Sequence, residues 1–121
     1  MLTQKDELQL RIERASKNFH LDLSKMSLDH IPSEIKSVLV SSLNLSDNLL
    51  SQFSSHDINP LLLDELDISN NNFSELPLDL SNLQNLRKII SKNNKIAMLG
   101  NINTLSKLKK LVELDISHNK I

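Results

Sequence analysis

Four histidines, fifteen acidic residues and many serines are the side chains here with which catalysis or metal binding could be done. Histidines beside carboxylates could hold a metal. His20, His30, His56 and His118, however, are scattered along the chain, form no H-x-x-x-H or H-E-x-x-H pair, and have no Cys to join them. A serine nucleophile needs a base and an acid converging in a pocket. No G-x-S-x-G occurs, and one Gly leaves no Gly-rich phosphate loop. Paired carboxylates could hydrolyse a substrate, but the acids recur at a regular spacing that reads as a solvated face. The expectation is no enzyme, no cofactor and no metal.

The spacing that does stand out belongs to asparagine. Asn48, Asn71, Asn94 and Asn119 follow one another at 23, 23 and 25 residues. Each sits in a common frame: Leu43-x-Leu45-x-x-Asn48-x-Leu50, Leu66-x-Ile68-x-x-Asn71-x-Phe73, Ile89-x-Ser91-x-x-Asn94-x-Ile96 and Leu114-x-Ile116-x-x-Asn119-x-Ile121. A weaker copy, Leu21-x-Leu23-x-x-Met26-x-Leu28, precedes them with Met in the Asn place. Alternation of period two makes the paired apolar residues one face of a short strand. A turn then carries the Asn side chain inward, where its amide must be satisfied by backbone of neighbouring turns. These four residues are therefore expected to form a structural ladder. A frame of L-x-x-L-x-L-x-x-N-x-L repeating every 20–29 residues resembles the leucine-rich repeat, over about residues 18–121. The resemblance implies an α/β leucine-rich repeat solenoid with a curved parallel β-sheet on its concave face. Aromatics are only 2% of the chain, so Leu and Ile must fill its core.

Residues 1–17 are expected to be an N-terminal cap and residues 18–121 an array of about five repeats, the last one truncated. Within the cap, residues 3–17 read as an amphipathic helix. Thr3 can cap it with Asp6 three residues on. Leu8, Ile12, Ala15 and Phe19 form an apolar stripe, and Glu7/Arg11 and Glu13/Lys17 are i,i+4 pairs. Such a helix would cover the open apolar edge of the first repeat. Later, Phe73-x-x-Leu76-Pro77-x-x-Leu80-x-x-Leu83-x-x-Leu86, begun again in Leu28-x-x-Ile31-Pro32-x-x-Ile35, resembles the intracellular Ras-group repeats. The linkers at Ser51–Pro60 and Ala97–Lys110 depart from that pattern. The sequence stops at Asn119-Lys120-Ile121, midway through a repeat, so a fragment or incomplete product is expected, with self-association through the uncapped C-terminal edge.

The strand residues pointing away from the core would form columns on the concave face. One is His20, Ser42, Glu65, Lys88 and Glu113. The next is Asp22, Asn44, Asp67, Ile90 and Asp115, and a third is Ser24, Ser46, Ser69, Lys92 and Ser117. Repeat four departs from its neighbours in every column. Its Lys88, Ile90 and Lys92 stand where the others carry acids and Ser, and Ser91 takes an inward Leu position. An apolar residue framed by cations in an acidic surround suits a partner bearing both signs. The expected function is a non-catalytic scaffold or adaptor that binds a protein partner through this face, with intracellular signalling implied by the resemblance. The alternative is the targeting segment of a larger kinase, phosphatase or GTPase. The net charge of −1 and the scarcity of aromatics speak against nucleic acid. No apolar run approaches the length of a membrane span, and the polar, acid-bearing N-terminus has no secretory h-region. A cytoplasmic location is expected.

Overall fold

A computed structural model describes residues 2–97 and 105–121, with the Leu78 side chain excepted. Helix α1 spans Gln4–Asn18. Thr3 caps it and belongs to the turn before it rather than to the helix. Its hydroxyl accepts from the Asp6 N–H and its own N–H donates to the Asp6 carboxylate, a reciprocal capping box. Phe19 ends the helix in the left-handed conformation at φ 63°. That reversal turns its ring out of the apolar stripe, so Phe19 is 43% exposed while Leu8 and Ala15 are buried. Of the two ion pairs expected along the helix, Glu7–Arg11 forms at 3.1 Å.

Five three-residue strands follow: β1 (His20–Asp22), β2 (Ser42–Asn44), β3 (Glu65–Asp67), β4 (Lys88–Ile90) and β5 (Glu113–Asp115). They form one parallel sheet in the order β1-β2-β3-β4-β5. The register runs without slippage, Leu21, Leu43, Leu66, Ile89 and Leu114 lying side by side. The first four of those side chains are fully buried and Leu114 half-buried. Leu23, Leu45 and Ile68, two residues on, are likewise buried.

The far side of the core is closed by 3-10 segments at Ser33–Ile35, Ser55–Asp57 and Leu78–Asn82. Pro32 and Pro77 stand immediately before the first and third. Their fixed φ suits a helical entry, and their missing N–H costs nothing there. Ile31 and Ile35 are buried in or beside the first, and Leu76, Leu80, Leu83 and Leu86 in or beside the third. The polar Ser51–Pro60 linker still contributes Phe53 and Ile58 to the core. Half of the Ala97–Lys110 linker lies outside the described residues.

The two edges of the sheet differ. Within it, the Leu23 N–H donates to Asn44 O and the Lys25 N–H to Ser46 O. The equivalent carbonyls of the first repeat, Asp22 O and Ser24 O, have no earlier strand among the described residues to serve them. Arg11 Nη1 donates to both, at 3.0 and 2.8 Å. One guanidinium of α1 thus supplies the two donors that a preceding strand would, blunting the edge.

Candidate functional site

The site begins with what positions it. At each repeat, the residue before the ladder position is left-handed: Lys25, Asp47, Asn70, Asn93 and His118 have φ between 53° and 58°. This conformation is costly for most side chains and cheapest for Gly, Asn and Asp. A chain with a single Gly uses Asp or Asn at three of the five. The turn so made sends the next side chain inward. Asn71 Nδ2 donates to Leu45 O, Ile68 O and Ser69 O, and its Oδ1 accepts from the Leu50 N–H. Asn48 makes the corresponding contacts one repeat earlier, its Oδ1 accepting from Met26 N and Leu28 N. Asn94 and Asn119 continue the series. Met26 heads it, where no earlier turn offers an amide its partners, and an apolar side chain packs instead.

Ser91, fully buried, fits into this ladder. Its hydroxyl accepts from Asn94 Nδ2 at 3.1 Å, and its carbonyl from Asn119 Nδ2 at 2.8 Å. No buried side-chain nitrogen or oxygen among the described residues lacks a partner.

The outward columns lie on the sheet as adjacent rows. His20, Ser42, Glu65, Lys88 and Glu113 are direct neighbours, as are Asp22, Asn44, Asp67, Ile90 and Asp115. The third row differs, because Ser46 and Ser69 are buried and not on the open surface. The middle row has local work. The oxygens of Asp22, Asn44, Asp67 and Asp115 each accept the N–H of the residue two further on, at 2.8 to 3.0 Å, holding the turn after the strand. Ile90 cannot make this bond. The Lys92 N–H goes instead to Ser69 Oγ of the preceding repeat, at 3.0 Å. Only sequence spacing hints at that substitution, since Ser69 belongs to an otherwise uniform Ser row.

Electrostatics are mostly settled within the face. Lys88 pairs with Glu113 at 3.5 Å and Lys92 with Asp115 at 3.6 Å, both towards repeat five. Arg11 lies 3.7 Å from Asp22. Burial would raise the Asp22 pKa, but the Ser24 hydroxyl and N–H, with Arg11 and Lys25, hold it below the ordinary carboxylate range. Asp115 is also lowered, chiefly by the Ser117 N–H. A shallow depression of about 190 Å³ lies over repeats two to four, bordered by Ser42, Asn44, Glu65, Asp67, Lys88 and Ile90. Among the described residues, no group of His, Asp or Glu is placed to hold a metal ion, and no helix is long and apolar enough to cross a membrane.

Residues 62–83 match the family model for the Leucine Rich Repeat. The chain is 36% identical over 110 residues to the mouse leucine-rich repeat serine/threonine-protein kinase 1, covering 84% of this chain and 6% of that one. It is 36% identical over 97 residues to the mouse leucine-rich repeat and calponin homology domain-containing protein 1, covering 79% of this chain and 13% of the other. The chain thus spans a small part of each relative. Among solved structures, the leucine-rich repeat domain of APL1B superimposes with a TM-score of 0.74 at 21% identity, covering 98% of this chain and 36% of that one, a likeness of fold.

Proposed function

We propose, for a chain that belongs to the leucine-rich repeat family, that it is a non-catalytic module binding a protein partner through the concave sheet face. The contact would centre on Lys88, Ile90 and Lys92, with Ser42, Asn44, Glu65, Asp67, Glu113 and Asp115 around them and His20 and Asp22 at the margin. The observation that supports this most is at Ile90. Four repeats commit their middle-row side chain to the turn bond, whereas repeat four gives up that bond, replaces it through Ser69, and presents a half-buried isoleucine to solvent. An apolar side chain set in a polar depression is a natural anchor for a partner. The asparagines 48, 71, 94 and 119 act as the structural ladder.

A captured partner supplies the test. Lys88→Ala with Ile90→Ala should lose it by about tenfold or more in affinity, the scale of removing an interface anchor. Lys36→Ala with His56→Ala, on the opposite side of the solenoid, should retain it. Equal loss from both pairs contradicts the reading. A second reading, favoured by the 36% identity to a much longer kinase, is that the same face serves as the targeting segment of a signalling enzyme. A cytoplasmic, scaffold-type role in signalling belongs to this proposal.

A further inference from the structure

The concave face carries formal charge of both signs, and part of it is already paired. Lys88 and Lys92 reach across to Glu113 and Asp115, and Asp22 lies beside Arg11. Glu65 and Asp67 of repeat three have no ion pair among the described residues. Glu65 is exposed, and Asp67 commits one oxygen to the Ser69 N–H. They flank Leu66 on the same strand face, about 7 Å apart along the backbone. On the adjacent strand Ile90 stands beside Asp67 in register, bordering the same depression.

Building on the concave-face reading, we infer that the partner's contacting segment presents an arginine next to an aliphatic residue. The guanidinium bridges Glu65 and Asp67, and the aliphatic side chain covers Ile90. Arginine suits two separated carboxylates because its planar group directs five donors outwards, where lysine offers one compact charge. An acidic partner segment would compete with Glu113 and Asp115 for Lys88 and Lys92, and would meet the carboxylates of Glu65 and Asp67, which form no ion pair among the described residues. The cations of repeat four therefore align the face, and repeat three supplies its charge preference.

The experiment is selection from a random linear peptide library displayed on phage, against the immobilised 121-residue chain. The retained peptides are then measured against Glu65→Gln/Asp67→Asn and against Ile90→Ala. The charge-removing pair preserves the fold, because Asn44 already makes in repeat two, at 2.9 Å, the turn bond that Asp67 makes in repeat three. Thermal melts of that variant should overlay the parent's. The expected result is enrichment of arginine beside Leu, Ile or Val, with binding lost by about tenfold or more in both variants. Enriched acidic peptides, or peptides that tolerate Glu65→Gln/Asp67→Asn but are lost on Ile90→Ala, overturn the inference and leave the concave-face reading standing. Peptides indifferent to both variants, or no enrichment, overturn the two together.

Discussion

Asn71 and Asn72 are adjacent and chemically identical, and their surroundings are opposite. Asn71 is buried with four hydrogen bonds to backbone of two repeats, while the Asn72 side chain faces solvent. Asn71→Leu leaves the buried Leu50 N–H without its acceptor and takes one donor each from Leu45 O, Ile68 O and Ser69 O, which keep Asn48, Asn94 and Asp47, and should cost on the order of 1–3 kcal/mol. Asn72→Leu should fall within about 0.5 kcal/mol of the parent. Equal urea midpoints would contradict the ladder. A second residue-scale consequence concerns acid. The folded pKa of Asp22 is depressed, so its stabilisation is complete above the unfolded value near pH 3.9 and is lost as pH falls through the lower folded value. Asp22→Asn keeps an acceptor for the Ser24 N–H but removes the charge. The stability difference between parent and variant should shrink as pH drops below about 4; a difference that grows there would contradict the assignment. At this scale the asparagines were legible because burial of an amide demands a fixed register. The left-handed residue before each ladder position was only partly so, since Lys25, ahead of Met26, and His118 carry no local signal for it.

At the scale of elements, repeat four depends on its predecessor. Ser69→Ala takes away the hydroxyl that accepts the Lys92 N–H, whereas among the described residues Ser117 serves repeat four through its backbone carbonyl, which accepts the Asn93 N–H and survives Ser117→Ala. Ser69→Ala should therefore lower the melting temperature more than Ser117→Ala; the reverse order would refute the compensation. The free edge of β1 likewise relies on one side chain of helix α1. Arg11→Ala strips Asp22 O and Ser24 O of their donors, each a charge-assisted bond. Amide exchange should quicken in α1 and β1 and stay unchanged in β4. The helix, its capping box and its salt bridge to Glu7 follow from sequence spacing alone. The role of Arg11 at the strand edge does not, because it joins groups eleven and thirteen residues apart whose alignment only the folded first repeat defines. Phe19 was misplaced for a related reason: a stripe drawn at helical spacing continues past the point where the chain turns left-handed.

Across the whole molecule, each repeat is stabilised by its neighbours. β3 has strands on both sides and contributes fully buried Leu66, while β5 contributes half-buried Leu114 and leaves Ile121 64% exposed. Protection against exchange should peak at β3 and be weakest among the strands at β5. The repeat architecture was readable because five copies in one frame constrain strand, turn and core together. The division of labour on the concave face was not readable, because whether a lysine is free for a partner depends on which way it reaches across the sheet. Whether a partner sits on that face is read out by site-specific photo-crosslinking. With a crosslinking residue at Lys88 or at the convex Lys36, and a partner bound at saturating concentration, covalent capture is expected from position 88 and none from position 36. Capture from position 36 alone would contradict binding through the concave face.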